Sequence, residues 1–277
     1  MSTSLPRAAL ADGTSIDVVG YGVYKVPPED TAGLCSMALS AGYRLLDTAS
    51  LYGNEAGVGT AARAFLDTGD RRDLFITSKV WNDDHGFDAT LRAFDATMGL
   101  LGLDQLDLYL IHWPCPSRDL YVETWRALER LRSEGRVRSI GVSNFQRVHL
   151  ERLLAETGVV PVLNQIELHP YLQQRDLRSF HALHGIATQA WSPLGRGHVL
   201  EDPVIGRIAD ELGRTPAQVI LRWHLQHGIL TIPKASSRER ISSNLDIFGF
   251  ALDDAHVAAL DALDRDQRFG SHPDRVG

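Results

Sequence analysis

The sequence predicts an α/β chain of the (β/α)8 TIM-barrel class. Three observations carry this. Short runs rich in Val, Ile, Leu and Thr alternate with longer amphipathic stretches, the alternation repeats eight times, and 277 residues are enough for one such barrel. No Pro/Ser/Gly-rich linker divides the series, so residues 1–277 are expected to form a single domain with an N-terminal β-hairpin and extra helices.

The Asp12-Gly13 pair marks the turn of the hairpin. Strands are expected at 18–23, 44–48, 74–79, 106–112, 137–143, 163–167, 187–191 and 230–233. Helical patterns lie between and after them, at 30–41, 54–66, 88–101, 120–135, 146–157, 174–184, 216–226 and 238–245. Asp30 is the expected N-cap of the first helix, Gly42 and Gly102 stand where a helix leaves through a left-handed residue, and Thr215-Pro216 reads as a cap followed by proline at the first helical position. Stretches at 201–212 and 254–263 are helices outside the repeat.

Composition narrows the function. Hydrophobic residues at 44% and charged ones at 23% exclude disordered, collagen-like and coiled-coil chains. The net charge of −7, with no basic block, argues against nucleic-acid or anionic-membrane partners and leaves small molecules. Two cysteines, Cys35 and Cys115, make no disulfide framework. The N-terminus lacks a basic segment followed by an apolar run, and no stretch approaches a membrane span, so a cytoplasmic protein is expected.

In such a barrel the C-terminal strand ends form the active face. Asp47, Lys79 and His112 stand at three of these ends and Tyr52 follows Asp47 in its loop. A lysine buried at a strand end needs a counter-charge, which Asp47 supplies. A cation beside the Tyr52 phenol is expected to lower its pKa from about 10 and make a proton donor, with His112 polarising a carbonyl oxygen. An acid and an oxygen-binding partner without a nucleophile suit carbonyl reduction, whose hydride comes from a cofactor. Taken singly, each residue has a plainer explanation: Asp47 and Lys79 as a structural ion pair, Tyr52 as packing, His112 as a hydrogen-bonded strand end. Their shared location decides.

Other chemistries find less. There is no His-Glu-x-x-His run, and His112 with Cys115, or His181 with His184, offers two metal ligands at most. Gly141-Val142-Ser143-Asn144-Phe145 lacks the second glycine of a nucleophile elbow. Gly20-Tyr21-Gly22 starts like a dinucleotide fingerprint but meets Lys25 where the third glycine belongs.

Six ordered motifs resemble those of the aldo-keto reductase family. They are Gly42-Tyr43-Arg44-Leu45-Leu46-Asp47-Thr48-Ala49, Leu51-Tyr52-Gly53-Asn54-Glu55, the run from Asp104 to Pro114, Gly141 to Phe145, Asn164 to Pro170, and Ile232-Pro233-Lys234 with Arg240, Ile241 and Asn244. The wording from Gly20 to Pro28 and at Ser271-His272-Pro273-Asp274 is similar to the prokaryotic branch that includes 2,5-diketo-D-gluconate reductases. The resemblance implies an (α/β)8 barrel that binds NADPH/NADP+ at its mouth, with Asp47, Tyr52, Lys79 and His112 as the catalytic tetrad. It further implies that Ser143, Asn144 and Gln165 hold the nicotinamide carboxamide and that Trp191 stacks on the ring. The loop Ser192-Pro193-Leu194-Gly195-Arg196-Gly197 would run over the pyrophosphate, and Lys234 and Arg240 would grip the 2′-phosphate. Gly22, Val23, Asp47, Pro233, Ser236 and Asn244 complete the implied cofactor contacts. Tyr24, Trp81, Asn82 and Trp113, with Tyr52 and His112, wall the substrate pocket.

Two positions depart from the pattern: Ala235 replaces a serine and Ser243 a glutamate, which bears on cofactor affinity, and Ser236 and Ser237 are candidates to replace the lost hydroxyl. The C-terminal tail is short, with Phe269 and His272 its bulky residues, so an open pocket is expected. The function expected from the resemblance is reduction of aldehydes and ketones, including dicarbonyls and keto sugars, by a monomer. The alternatives are a non-catalytic NADPH-sensing barrel and a Schiff-base lyase using Lys79.

Overall fold

The computed structural model describes residues 5–276. Strands β1 (Arg7–Ala9) and β2 (Ser15–Asp17) form the antiparallel hairpin around Gly13, whose φ of 85° supplies the turn. Eight parallel strands follow: β3 (Tyr21–Gly22), β4 (Leu45–Asp47), β5 (Phe75–Val80), β6 (Leu106–Ile111), β7 (Val137–Ser143), β8 (Leu163–Glu167), β9 (Ala187–Trp191) and β10 (Leu230–Thr231). Each pairs with the next in sequence. The sheet closes on itself where Thr231 N donates to Val18 O at 3.0 Å and Gly20 N to Thr231 O at 2.8 Å. The predicted barrel is present.

Helices α1 (Pro28–Ala41), α2 (Glu55–Leu66), α3 (Phe87–Leu101), α4 (Tyr121–Ser133), α5 (Arg147–Glu156), α6 (Arg175–Leu183), α8 (Pro216–Gln226) and α9 (Arg238–Ser243) follow the eight strands. Helices α7 (Pro203–Leu212) and α10 (Asp254–Asp261) are the two additions. Gly42 and Gly102 exit α1 and α3 with φ of 114° and 63°, and Thr215 caps α8 in a reciprocal box with Gln218. Asp30 is not the cap of α1. The helix starts two residues earlier, because Pro28 fits the first helical position without needing an N–H donor, and Asp30 falls in the first turn.

The strands divide their side chains by alternation. Leu45, Phe75, Leu108, Leu110, Leu163 and Leu230 point into the barrel, where Leu10 and Ile16 of the hairpin join them. Their neighbours Leu46, Ile76 and Tyr109 pack outward against the helices. The hairpin is tied to β7, with Ser139 Oγ donating to Asp12 Oδ2 at 2.8 Å. This plugs the N-terminal end and leaves the other end for chemistry. No helix among the described residues is long and apolar enough to cross a membrane.

Candidate active site

Asp47 ends β4, Lys79 lies near the end of β5 and His112 follows β6, so three neighbouring strands deliver three polar side chains to one mouth. A 3-10 turn over Ser50–Tyr52 folds Tyr52 back over them; Ser50 Oγ anchors it by donating to Lys79 O at 3.0 Å. Asn54 anchors the other side. Its amide donates to Val23 O and Val26 O at 3.0 and 3.2 Å and accepts from Thr48 Oγ1 at 2.8 Å, so its side chain braces the loop and makes no cap for α2.

Lys79 is wholly buried. Its Nζ donates to Asp47 Oδ1 at 2.6 Å and Thr48 O at 2.9 Å, and reaches Tyr52 Oη at 3.4 Å. Burial pulls Lys79 below the ordinary lysine range, and Asp47 opposes that pull. The expected lowering of Tyr52 is not found: burial, reinforced by Asp47 and Tyr24, pushes the phenol well above 10. The carboxylate holds the lysine charge at shorter range, so in the resting site the ammonium does not outweigh the cost of burying a phenolate. Burial, with Lys79 and His85 adding, holds His112 well below the usual histidine range and therefore neutral. The site thus pairs a protonated phenol with an uncharged imidazole whose ring centroid lies 5.6 Å from that of Tyr52.

These side chains open onto a cleft of about 620 Å³. At one end stand Tyr24, Trp81 and Trp113, with Tyr24 5.0 Å from the Tyr52 ring and Trp81 5.1 Å from His112. The middle is lined by Ser143, Asn144, Gln165 and the half-buried face of Trp191. Gly141 is required just below: a Cβ there would sit 2.7 Å from Leu163 O, and Asn144, three residues further along the chain, turns it with φ of 64°. Asn144 Oδ1 accepts from Trp191 Nε1 at 2.8 Å and its Nδ2 donates to His112 O at 2.9 Å. Ser143 Oγ donates to Gln165 O at 2.8 Å, and Gln165 Nε2 donates to Asp47 Oδ2 and Gln189 Oε1, both at 2.8 Å. Gln165 Oε1 accepts nothing among the described residues.

The cleft lining also carries cations: Lys25, whose Nζ lies 5.5 Å from the Tyr24 ring centroid, Arg196, whose guanidinium lies 6.0 Å from that of Trp191, Lys234 and Arg240, and none has a carboxylate within salt-bridge distance among the described residues. Ser237 and Ser236 hydroxyls accept from the Arg240 guanidinium at 3.2 and 3.4 Å, so they orient it. Cations without carboxylate partners among the described residues, a flat aromatic face and a free amide oxygen in one cleft fit a phosphorylated dinucleotide by charge and shape.

The structure therefore brings together Gly22, Tyr24, Asp47, Tyr52, Trp81, His112, Trp113, Ser143, Asn144, Gln165, Trp191, Ser192, Pro193, Leu194, Arg196, Pro233, Lys234 and Arg240. Lys79 stands directly behind the wall. Val23, Asn82, Gly195, Ser236 and Asn244 are outside the lining: Val23 and Asn82 are buried in loops behind it, Gly195 packs against Val199, Ser236 faces Arg240, and Asn244 ends α9. Phe269 and His272 are also outside it. Phe269 packs on His198 at 4.5 Å and His272 caps a short turn, while Ser271 and Val276 supply the tail's contribution. Sequence reasoning missed Lys25, Leu51, Leu200 and these two tail residues; a left-handed Lys25 with φ of 59° carries no sequence signal. It also missed buried Glu55, which accepts from Ser78 Oγ at 2.5 Å behind Lys79.

Residues 18–265 match the aldo/keto reductase family. An aldo-keto reductase of Mycolicibacterium smegmatis is 52% identical over 97% of both chains. The glyoxal reductase of Bacillus subtilis is 47% identical over 100% of this chain and 99% of its own. A crystal structure of a Gox0644 point mutant in complex with NADPH superposes with a TM-score of 0.95 at 49% identity, covering 99% of this chain and 100% of that one.

Proposed function

The chain belongs to the aldo/keto reductase family, and from that premise we propose that it reduces small aldehydes and ketones with NADPH. Asp47, Tyr52, Lys79 and His112 are the catalytic group in this reading. The observation that carries it is Tyr52 Oη 3.4 Å from buried Lys79 Nζ, with its ring beside that of His112, in a cleft that is also lined by four cations without carboxylate partners among the described residues. NADPH, when bound, supplies the hydride. The chain's residues do the rest.

His112 donates to the carbonyl oxygen and holds it against Tyr52 Oη, which gives up its proton as negative charge develops there. Asp47 fixes Lys79, and the ammonium 3.4 Å from Oη stabilises the phenolate left behind. Trp191 faces the nicotinamide, Gln165 Oε1 accepts from its carboxamide, and the 192–196 loop covers the pyrophosphate. Lys234 and Arg240 engage the 2′-phosphate, so NADPH is used in preference to NADH. Tyr24, Trp81 and Trp113 present apolar faces to the substrate, which suits compact dicarbonyls and keto sugars; a relative named glyoxal reductase supports this class. We take the whole chain as one catalytic domain active as a single copy, because every functional side chain named comes from one barrel mouth, and as cytoplasmic, a reducing compartment that its two free cysteines suit. A lyase through Lys79 is disfavoured, since its Nζ is buried and held by Asp47 and Thr48.

Following NADPH absorbance against glyoxal, methylglyoxal and keto sugars tests the reading. Turnover is expected, and Tyr52→Phe is expected to cost at least ~10²-fold in kcat while NADPH still binds. No oxidation across the panel, or full activity in Tyr52→Phe, would overturn it. Comparable kcat/KM with NADH would overturn the cofactor preference.

A further inference from the structure

Glu167 ends β8 with its carboxylate wholly buried, yet it is absent from the cleft lining. Its partners come from the far end of the chain. Oε1 accepts from Phe269 N at 2.7 Å and Oε2 from Gly270 N at 3.0 Å, while His169 Nε2 lies 3.2 Å away. A carboxylate taking two successive backbone N–H groups in a dry setting is a strong, charge-assisted grip on a segment with no secondary structure of its own. Burial alone would raise this carboxyl; His169 and the two amides hold it below the usual range instead, so it grips as an anion at neutral pH.

What the grip holds is significant for the site. A Cβ on Gly270 would lie 2.4 Å from Trp191 Cη2, so the tail backbone runs directly against the edge of the indole. The opposite edge is fixed too, by Trp191 Nε1 donating to Asn144 Oδ1 at 2.8 Å, and Asn144 in turn holds the carbonyl of His112. The next tail residue outward, Phe269, stacks on His198 and touches the Gly195 position of the 192–197 loop. Residues 269 and 270 thus abut the ring and the loop simultaneously, and Ser271 follows into the cleft.

We propose that Glu167 and Gly270 are positioning residues: by docking the tail they seat Trp191 and the 192–197 loop, so that cofactor affinity depends on a contact made from behind the indole. The inference rests on the reductase reading for the role of Trp191. A tail that only covered the barrel would need the Glu167 grip but would have no reason to meet Trp191 at a residue lacking a side chain. The added methyl of Gly270→Ala would also lie 2.9 Å from Glu167 Oε2, so it must displace the indole, the carboxylate or the tail backbone, and all three are pinned.

Two readouts test this. Hydrogen exchange of the free protein should be at least tenfold faster in Glu167→Gln at both 268–276 and 192–197; faster exchange confined to the tail, or none, overturns the coupling. NADPH titration should give a Kd raised about tenfold by Gly270→Ala, with kcat at saturating cofactor changed less than threefold. Should Glu167→Gln not fold, Gly270→Ala decides alone, through a double-mutant cycle with Trp191→Phe, which removes the Cη2 atom the methyl strikes. A penalty at least threefold smaller in the Trp191→Phe background, where only the 2.9 Å approach to Glu167 Oε2 remains, supports the proposal, and an additive penalty overturns it. If the unmodified protein binds no NADPH, the reductase reading fails, whereas exchange in the 192–197 loop still decides whether the tail seats that loop.

Discussion

Lys79 does two jobs, so removing it should be felt twice. Its ammonium satisfies a carboxylate that is 2% exposed, and taking away one member of a buried pair leaves the other charge uncompensated. Lys79→Met is expected to cost about 3–5 kcal/mol of stability by denaturant unfolding and to suppress turnover, whereas pairing it with Asp47→Asn should recover most of the stability and none of the activity. A single variant as stable as its parent would show that the pair is not ionised. The pH profile follows from the neighbouring groups. The Tyr52 pKa is raised, so its acid form persists through neutrality and is lost only as pH climbs past about 10; the His112 pKa is lowered, so its neutral form persists as pH falls. Reduction measured as kcat/KM should be flat from roughly pH 6.5 to 9, and a falling limb inside that window would contradict the assigned states. Sequence disclosed which four residues meet, because polar side chains at the ends of apolar strands have few other reasons to be there. It did not disclose the direction in which Tyr52 shifts, since that depends on how completely the mouth is dried and on Asp47 claiming Lys79 at 2.6 Å against 3.4 Å for the phenol.

At the scale of elements, interiors were legible and ends less so. The apolar period of α8 and the Thr215-Pro216 start locate that helix correctly, because both signals are local: Gln218 N donates to Thr215 Oγ1 at 3.2 Å and Thr215 N to Gln218 Oε1 at 2.9 Å. Thr215→Ala removes one half of this box and should cost roughly 1 kcal/mol, read as a fall of about 2–4 °C in Tm with kcat unchanged, since the cap is remote from the mouth. The start of α1 was misplaced for an equally local reason, two competing signals of which the proline prevailed. The strap from Glu167 to Phe269 and Gly270 had no signature at all. Its contacts join residues more than a hundred apart, and the tail contributes backbone amides, which every sequence possesses. Gly270 carries the only trace, and a lone glycine near a terminus reads as a loop.

For the whole molecule the barrel was legible because eight repeats of one pattern outvote any single ambiguous element, but the histidines it buries were not. His181 stood in the sequence as half of a weak ligand pair; in the fold it lies between Asn164 and Thr188 in the core. Burial is the leading cause that lowers His85, His112, His149, His181 and His224, with His85, His181 and His224 brought to about 4. The sign is then fixed. An unfolded histidine takes a proton as pH falls through about 6.5 while the folded one does not, so the unfolded state binds more protons and stability drops as pH falls from there towards 4. Each of the three at about 4 should remove on the order of 1–2 kcal/mol by pH 5. Asp17 and Glu55, whose carboxyls burial raises, act in the opposite sense but are two groups against five. Glu167 adds to the loss only lower down, because its carboxylate stays ionised until pH passes below the usual range. Denaturant unfolding at pH 7.5, 6 and 5 should therefore show stability falling by several kcal/mol before the carboxylates titrate, with a slope that reports more than one proton taken up per molecule on unfolding. A level stability across that window would mean that these imidazoles are already solvated in the folded barrel.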